Sequence, residues 1–568
     1  MADATRTLRE LSPDIAITLV DKHADMYALV CRHLYNVTGW EYLKSQPETY
    51  VLSTSSEAQM AAWIAAAVEG FGDVRWWLPD PTRDDKPTAR YPEKPRRLSH
   101  LHLLFKFHKV GKPIAPRPIC ANPDTPEVPT ARRVNSALNF LLAEVADKMW
   151  FDLGLTELGF VMPSSSVLVG CESVGAHIDM VNLLISRGEI DVKKLRFAVY
   201  DFTSMYTKFT HDMIIGRVAH FATYAFRLRA AKSDKFHGNN SAVYLAVPHH
   251  DLYQRVETCW TSCARTEDLP ERQQKTHTVM DLDGLLRRVR FLVENSYVYW
   301  GGEIFHQQIG VAMGLIPAGL FATIVCFTYE IEFLRRCLAR LNSELARDAA
   351  GAEIPKLRAK VYFALWLKRY IDDEFHTLVD AEAFDSSTAL YDERTVFDGS
   401  QDGTDADGIY PTSSTGPGGV VVDAPCELEA VSRPTRSATF CDWRFTIDPI
   451  KRRVTSTVYD KRQDMPMFRG CRTFPHRDSM IHLPAKLNVI TSQFMRYARR
   501  SSSMTAFVAA CANLVFLMHR HGYDDGKVRR KVYHFRHHWH TCGAERLGRW
   551  ATFYDRFRDE LIRLLQRR

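Results

Sequence analysis

The sequence lacks the patterns that mark membrane-spanning and disulfide-stabilised proteins. No apolar run reaches the roughly 20 residues that a transmembrane helix needs, and the N-terminus has no charged segment followed by an apolar one. The 12 cysteines include no C-x-x-C pair, the nearest approach being Cys259 and Cys263. These absences exclude a zinc ribbon and a disulfide framework. They predict reduced thiols in a cytosolic or nuclear protein with no membrane partner.

Charge is spread unevenly along the 568 residues. The net charge is only +7, but residues 451–568 contain 25 Lys and Arg against 9 Asp and Glu. Residues 380–430 have the opposite bias, with 12 Asp and Glu against one Arg. The basic end suits either a phosphate backbone or a solvated surface. The acidic stretch has too few apolar residues to form a core, and we expect a disordered insertion.

Two adjacent aspartates, Asp372 and Asp373, give the strongest functional signal. Apolar residues lead into the pair from Phe363 and resume at Phe375 and Leu378, which predicts a β-hairpin with a charged tip. Adjacent carboxylates repel each other unless a divalent cation offsets the repulsion. Taken alone, the pair is equally consistent with a solvated turn. A further carboxylate is needed to decide between the two interpretations.

Asp201 supplies that further carboxylate. It lies at the end of an apolar segment, residues 196–202, which predicts a strand, and residues 211–226 then have the apolar spacing of a helix. One carboxylate at a strand end and two on a neighbouring hairpin are able to hold two Mg²⁺ ions about 4 Å apart, with Mn²⁺ as the alternative. The predicted chemistry is in-line nucleotidyl transfer, with Asp201, Asp372 and Asp373 as catalytic and metal-binding residues.

Tyr206 follows Asp201 by five residues. In polymerases a bulky ring at this place lies under the incoming sugar and blocks a 2′-hydroxyl, which favours deoxynucleotides. Ordinary core packing is the alternative role for a tyrosine. The spacing from Asp201 favours the first interpretation.

Three segments together carry a resemblance to a known family. Asp201 with Tyr206, the glycine-rich residues 307–314, and the Tyr370-Ile371-Asp372-Asp373 segment resemble, in this order, motifs A, B and C of reverse transcriptases. The pattern Gln-x-x-Gly-Val-Ala-Met-Gly in residues 307–314 is most similar to Penelope-like retroelements, the sister group of telomerase reverse transcriptases. The resemblance covers about residues 95–535. After Gly314 the family continues Ser-Pro, whereas this chain has Leu315-Ile316-Pro317, and the apolar residues from Gly319 to about Leu338 then predict a helix.

The resemblance implies an α+β right-hand polymerase with fingers, an antiparallel-sheet palm and a helical thumb. The expected domains are an N-terminal extension in residues 1–95, fingers and palm in 96–484 with the acidic insertion at about 380–430, and a basic helical thumb and C-terminal extension in 485–568. The sequence carries no GIY-YIG endonuclease signature. The resemblance therefore points to the endonuclease-lacking branch, which is thought to prime from existing 3′ ends.

The resemblance also suggests roles for residues outside the aspartates. Lys109 and Arg117 match the cations that hold the triphosphate of the incoming nucleotide, because such groups make charge-assisted bonds to phosphate. The other candidate nucleotide-binding residues are Phe202, Tyr206, Gln307 and Gly314. Cations on a thumb helix would contact phosphates without sequence preference. The candidate nucleic-acid-binding residues are Lys106, Tyr370, Lys461, Lys486, Arg496, Arg499 and Arg500.

The expected function is RNA-directed DNA synthesis from a primer 3′-hydroxyl, with dNTPs as substrates. The expected partners are an RNA template and a DNA primer or RNA–DNA duplex. Two alternatives are a telomerase-like catalytic subunit with a dedicated RNA and a non-catalytic RNA-binding protein derived from such an enzyme. Residues 527–531, Lys-Val-Arg-Arg-Lys, are either a nuclear localisation signal or a phosphate-binding patch. The predicted location is the nucleus, with the cytoplasm as the alternative, and the sequence predicts no oligomeric state.

Overall fold

The fold is described from a computed structural model of the chain. The described residues are 6, 10, 13–20, 23–73, 97–106, 116–121, 125–160, 165–168, 170, 173–202, 205–237, 243–248, 257–274, 276–347, 353–379, 409–410, 413–415, 421–423, 428–460, 474–479 and 481–567. Within these ranges no helix combines the length and the apolar character needed to cross a membrane.

Helices make up much of the described chain, and two of them are only one turn long. Their bounds are α1 (Arg32–Lys44), α2 (Glu57–Gly70), α3 (Val128–Phe151), α4 (Ser173–Arg187), α5 (Met205–Lys208), α6 (His211–His237), α7 (Glu271–Gln274), α8 (Leu282–Glu294), α9 (Ala318–Ala346), α10 (Glu353–Leu365), α11 (Leu483–Arg500), α12 (Met504–Arg520), α13 (Asp525–His534) and α14 (Trp550–Gln566). Short 3₁₀ helices lie at Leu155–Leu158, Thr266–Asp268, Phe535–His538 and Ala544–Leu547.

The described strands form five sheets. Their bounds are β1 (Ile15–Val20), β2 (His23–Cys31), β3 (Tyr50–Ser53), β4 (Ser99–Phe105), β5 (Pro116–Ala121), β6 (Arg196–Phe202), β7 (Tyr244–Pro248), β8 (Cys259–Thr261), β9 (His277–Met280), β10 (Tyr297–Trp300), β11 (Glu303–Gln307), β12 (Leu367–Tyr370), β13 (Asp373–Leu378), β14 (Ser413–Thr415), β15 (Val421–Asp423), β16 (Leu428–Thr435), β17 (Ser437–Phe440), β18 (Trp443–Asp448) and β19 (Arg453–Val458).

A four-stranded antiparallel sheet in the order β12-β13-β6-β16 carries the aspartates. The predicted strand at 196–202 is confirmed, and the predicted hairpin forms over 367–378, although its expected apolar lead-in from Phe363 is the end of helix α10. In β6 the run from Phe197 to Tyr200 is buried, because this strand lies between two others and packs in the main core. The helix predicted after the glycine-rich segment is α9, whose buried face includes Phe321 and Phe327 in the same core.

A seven-stranded sheet joins the N-terminal residues to the rest of the chain. Its order is β2-β1-β4-β10-β11-β3, and β5 pairs with the other edge of β4. Residues 1–95 are predicted to be an N-terminal extension. In the structure, β1 and β3 from this range belong to the same sheet as β4 and β11. This integration depends on main-chain pairing over long separations in the chain, which no local pattern reveals.

The C-terminal helices α11 to α14 form a second hydrophobic core. The helix α11 contributes an apolar stripe to this core, with Leu487, Ile490 and Phe494 all buried. Ser503 begins α12 as an N-cap, since its hydroxyl accepts a hydrogen bond from the main-chain nitrogen of Ala506 at 3.2 Å. The bundle is therefore packed as a unit of its own around aromatic side chains.

The acidic segment contains ordered residues at its end. Its composition predicts an unstructured insertion over 380–430, whereas Leu428, Glu429 and Ala430 begin β16 and pair with β6. Ile409 and Tyr410 are also buried, at 1% and 2% exposure. These two residues differ from the predicted disorder because contacts with distant parts of the chain can bury an apolar side chain even where its neighbours in sequence are acidic.

A buried charge cluster ties α2, α3 and α8 together. Asp73, which has no exposed surface, pairs with Arg133 and lies 3.0 Å from the Nε of Arg288. Thr130 donates its hydroxyl to the same carboxylate at 2.7 Å. One carboxylate therefore balances two buried guanidinium groups.

Asp73→Asn is expected to lower the free energy of unfolding by about 3–5 kcal/mol, because two buried cations lose the carboxylate that they share. The matched control is Asp283→Asn. Asp283 forms an exposed pair with Arg287 on α8, 3.1 Å apart, and its loss should cost less than about 1 kcal/mol. Urea unfolding of both variants checks the difference, and equal effects would contradict the structural role of Asp73.

Candidate active site

The structure brings Asp201, Asp372 and Asp373 to one end of the four-stranded sheet. Asp373 begins β13 and lies directly opposite Asp201 on β6. The main-chain nitrogen of Phe202 donates to the carbonyl oxygen of Asp372 at 3.2 Å. Side chains at directly opposed positions of an antiparallel pair share one face and have Cβ atoms about 4.5–5.5 Å apart. The three carboxylates are therefore neighbours.

The hairpin turn that carries Asp372 has an unusual backbone. Tyr370 pairs with Asp373, so Ile371 and Asp372 alone make the turn. Ile371 has a φ of 59°, a conformation that a β-branched residue rarely adopts. Such a residue persists only when its surroundings hold it in place. The Nη1 atom of Arg369 does so in part, since it donates to the carbonyl oxygen of Ile371 at 3.3 Å.

The aspartates suit a hard divalent cation by their chemistry and by their exposure to solvent. Asp201 is exposed, and Asp372 and Asp373 are partly exposed. Carboxylate oxygens are the ligands that Mg²⁺ and Mn²⁺ prefer. Across the part of the chain that the structure describes, no three His, Cys, Asp or Glu side chains already converge into a closed metal site. Binding would thus require the exposed carboxylates to rotate towards a common ion.

Tyr206 lies beside the aspartates, on the one-turn helix α5. Burial raises its pKa above the ordinary value of 10.0, the charge of Asp372 adds to the rise, and the cation of Arg117 opposes it. A Cβ placed on Gly319 would lie 3.4 Å from both the Tyr206 hydroxyl oxygen and the Cδ1 of Ile371. The ring therefore sits between the aspartate turn and the start of α9.

The loop after β11 is bound by main-chain hydrogen bonds to the segment that follows Asp201. The nitrogen of Gly310 donates to the carbonyl oxygen of Phe209 at 2.7 Å, and that of Val311 to the carbonyl oxygen of Tyr206 at 2.7 Å. Gly310 has a φ of 82°, and an added Cβ would overlap the carbonyl oxygen of Tyr206. Glycine is required here for both reasons.

Gly314 brings the same loop against β5. Its φ is 129°, and an added Cβ would overlap the carbonyl oxygen of Cys120. The main-chain nitrogen of Cys120 donates to the carbonyl oxygen of Met313 at 2.7 Å. The loop thus contacts both β5 and the segment that follows Asp201.

Two predicted nucleotide-binding side chains are instead buried in the protein. Gln307 has no exposed surface, and its Nε2 donates to the carbonyl oxygen of Ile309 at 3.0 Å. Phe202 is 5% exposed and packs edge-on against Tyr410, with ring centroids 5.2 Å apart. Neither side chain reaches the surface. Each therefore affects the site only through packing or hydrogen bonds inside the protein.

The predicted triphosphate-binding cations are described in part. Arg117 is half-buried in β5 opposite Leu104, and its charge acts on Tyr206. Lys106 is half-buried just after β4. Lys109 lies outside the described residues. The structure therefore places one of the two expected cations at the site.

The predicted nucleic-acid-binding residues divide by environment. Lys486 is 4% exposed and donates to the carbonyl oxygens of Arg477 and Ser479, so it holds a loop. Arg500 is buried and pairs with Asp442. These two positions differ from the prediction because protein atoms satisfy their charges.

The remaining members of this group lie nearer the surface. Arg496 is half-buried and also pairs with Asp442, at 2.5 Å. Arg499 has an exposed side chain, and Tyr370 is half-buried at the end of β12. Lys461 lies outside the described residues. Arg499 thus keeps the surface position that contact with phosphate requires.

Behind the hairpin lies a buried charged network that the sequence analysis did not select. The Nε of Arg369 donates to Glu330 Oε1 at 2.6 Å. The hydroxyl oxygen of Tyr410 lies 2.9 Å from Glu330 Oε1 and 2.5 Å from Glu374 Oε1. His376 Nε2 is 3.1 Å from the other oxygen of Glu374. All five side chains are at most 2% exposed.

Part of this network has a signal in the sequence. Arg369 follows Lys368 within an otherwise apolar strand, and Glu330 lies in an apolar helix. A buried charged side chain requires an oppositely charged or hydrogen-bonding partner. Arg369 and Glu330 therefore each predict a neighbour that the sequence alone does not identify. Tyr410 has no such signal, since it is surrounded by acidic and turn-forming residues.

No protein-family model matches the sequence, and no curated protein matches it significantly. Among solved structures, the mixed helix-and-sheet fold of this chain is similar to that of telomerase. The structure of telomerase from Candida albicans, in complex with a TWJ fragment of telomeric RNA, matches with a TM-score of 0.52 and 10% identity, over 98% of this chain and 72% of that chain. Apo telomerase from Candida tropicalis matches with a TM-score of 0.44 and 9% identity, over 96% and 73%. The first match establishes the fold.

Gly314→Ala is expected to lower the free energy of unfolding by about 1–3 kcal/mol more than Gly302→Ala, because only the first adds a steric overlap. Gly302 also has a positive φ, 97°, but open space around it. The pair therefore separates overlap from backbone strain. Urea unfolding provides the measurement, and equal losses would mean that β5 moves freely away from the loop.

Arg499→Met and Arg500→Met form a matched pair on α11. The Arg500 variant should lose about 1.5–3 kcal/mol of stability, since Asp442 loses a buried charged hydrogen-bond partner. The Arg499 variant should lose less stability than the Arg500 variant, because its side chain is exposed, and it should weaken binding to an RNA–DNA duplex. Thermal unfolding and fluorescence anisotropy test the two effects. An unstable Arg499 variant would refute this assignment.

Proposed function

We propose that this chain is an RNA-directed DNA polymerase that extends a primer 3′-hydroxyl with dNTPs. The observation that carries the proposal is the register of the four-stranded sheet, with Asp373 opposite Asp201 and Asp372 in the adjoining turn. Tyr206 beside them supports selection of a deoxyribose. The telomerase fold supports the same class of enzyme.

The parts of the fold would take the roles expected of a right hand. The four-stranded sheet would be the palm, and β4 with β5 would belong to the fingers. The helices α11 to α14 would form the thumb. The exposed Arg499 on α11 would contact the phosphate backbone of the product duplex, which gives affinity without sequence choice.

The site residues would bind and orient the reactants. Asp201, Asp372 and Asp373 would hold two Mg²⁺ ions, which when bound favour ionisation of the primer hydroxyl and stabilise charge at the phosphorus. Arg117 would hold the triphosphate through charge-assisted bonds. Tyr206 would exclude a 2′-hydroxyl with its ring. The positive-φ glycines of the loop after β11 would let the backbone approach the nascent base pair closely.

The partners follow from the same proposal. RNA would serve as the template, and the telomeric RNA fragment in the Candida albicans complex supports an RNA partner for this fold. The glycine-rich sequence at 307–314 favours a Penelope-like retroelement enzyme without an endonuclease. The telomerase fold supports a telomerase-like catalytic subunit with a dedicated RNA equally well. Either enzyme would act in the nucleus.

Primer extension on an RNA template tests the proposal. The wild type should incorporate dNTPs with Mg²⁺, rNTPs should be poor substrates, and Asp372→Asn/Asp373→Asn should reduce synthesis by about a thousandfold or more because the site loses two metal ligands. Asp283→Asn, far from the site in sequence and exposed, is the control. Absence of synthesis by the wild type, with RNA still bound, would favour the binding-protein alternative.

The template requirement separates the two polymerase candidates. A Penelope-like enzyme should copy an unrelated RNA annealed to a DNA primer. A telomerase-like subunit should require one dedicated RNA and synthesise a repeat from it. Sequencing the products on both kinds of template distinguishes them.

A further inference from the structure

Tyr410 contacts the residues that directly follow Asp201 and Asp373, and it also contacts a residue of α9. Its ring packs edge-on against Phe202, with centroids 5.2 Å apart. Its hydroxyl oxygen lies 2.5 Å from Glu374 Oε1 and 2.9 Å from Glu330 Oε1. At 2% exposure, the side chain is enclosed by protein. It reaches this position from the acidic segment, far from its partners in sequence.

Each partner of Tyr410 is attached to a different part of the candidate site. Phe202 directly follows Asp201 on β6, and Glu374 directly follows Asp373 on β13. Glu330 lies on α9, which begins just after the Gly314 loop. One side chain thus bridges β6, β13 and α9, which carry or follow the three segments that resemble motifs A, B and C.

The bridge has an electrostatic consequence. Glu374 and Glu330 both direct a carboxylate oxygen at the same hydroxyl, in a place without water access. Two buried carboxylates facing each other repel strongly unless a donor lies between them. Arg369 donates to the same oxygen of Glu330, and its guanidinium also holds the carbonyl oxygen of Ile371 in the aspartate turn. Loss of the hydroxyl would therefore push β13 and α9 apart.

We propose that Tyr410 is a positioning residue that fixes the aspartate hairpin relative to Asp201, and that divalent-cation binding depends on its hydroxyl. The proposal deepens the proposed function and rests on it. Tyr410 does not touch the reacting atoms; it acts through Glu374, Glu330 and Phe202. Buried groups that orient metal ligands typically alter metal affinity by about 10–100-fold when removed.

Tyr410→Phe separates this role from simple core filling. The phenylalanine ring retains the contact with Phe202 and loses only the hydroxyl. The matched control is Tyr523→Phe in the C-terminal bundle, where an equally buried tyrosine donates to the carbonyl oxygen of Pro475 at 2.7 Å. Both variants lose one buried hydrogen bond, but only one lies behind the aspartates.

Mn²⁺ binding to the full chain, measured by electron paramagnetic resonance without nucleotide, is the primary readout. Tyr410→Phe should weaken Mn²⁺ binding about tenfold and lower kcat for primer extension, while KM for dNTP changes little. Tyr523→Phe should bind Mn²⁺ as the wild type does. Tyr410→Phe/Glu374→Gln should recover much of the affinity, because the amide supplies a donor and removes one of the two charges.

The outcomes distinguish this proposal from the function on which it rests. Wild-type Mn²⁺ affinity in Tyr410→Phe would overturn the positioning role, whatever the change in stability. Equal weakening in Tyr523→Phe would also overturn it, since the effect would then be general. If the wild type binds Mn²⁺ but synthesises no DNA, the polymerase proposal fails and the Mn²⁺ affinities still decide the role of Tyr410. If the wild type binds no Mn²⁺, both proposals are overturned.

Discussion

The antiparallel pairing of β6 with β13 is the constraint on which the rest of the structure depends. It sets Asp201 opposite Asp373, and like charges at directly opposed positions of a sheet destabilise that sheet. The pairing persists because β6 is otherwise apolar and lies in the main core, where Phe197 and Phe375 pack at 5.2 Å between centroids. Core packing thus holds in place an arrangement that the aspartates themselves oppose.

A second unfavourable feature, a set of buried charges, lies directly behind the first. Arg369, Glu330, Glu374 and His376 would each be costly to bury alone. Together with Tyr410 they pair with one another, and a connected polar network restrains its members more narrowly than apolar packing does. The strained Ile371 is one residue that such restraint maintains, because Arg369 binds its carbonyl oxygen. Buried hydrogen bonds therefore restrain the turn, whereas the three aspartates beside it are exposed or partly exposed to solvent.

Local pattern predicted the elements well and the environment of charged residues poorly. Alternation and apolar runs identified β6, the hairpin and α9, because each follows its own periodicity. Lys486 and Arg500 looked like surface cations, yet loop carbonyls and Asp442 bury them, and nothing near them in sequence indicates those partners. Tyr410 was missed for the converse reason, since its neighbours are acidic while its contacts lie 36 and 80 residues away.

The segment after Gly314 shows why a departure from a family pattern need not disrupt a site. Leu315-Ile316-Pro317 replaces the residues that the resemblance leads one to expect, but main-chain bonds close the turn, from the nitrogen of Leu315 to the carbonyl oxygen of Ala312 at 3.0 Å and from that of Ala318 to Leu315 at 3.0 Å. Leu315 is buried, and Pro317 is the N-cap residue of α9. Because these bonds use no side chain, the turn depends on Gly314 and on packing, and other sequences can form it. The departure is therefore compatible with the geometry that the aspartates and Tyr206 require.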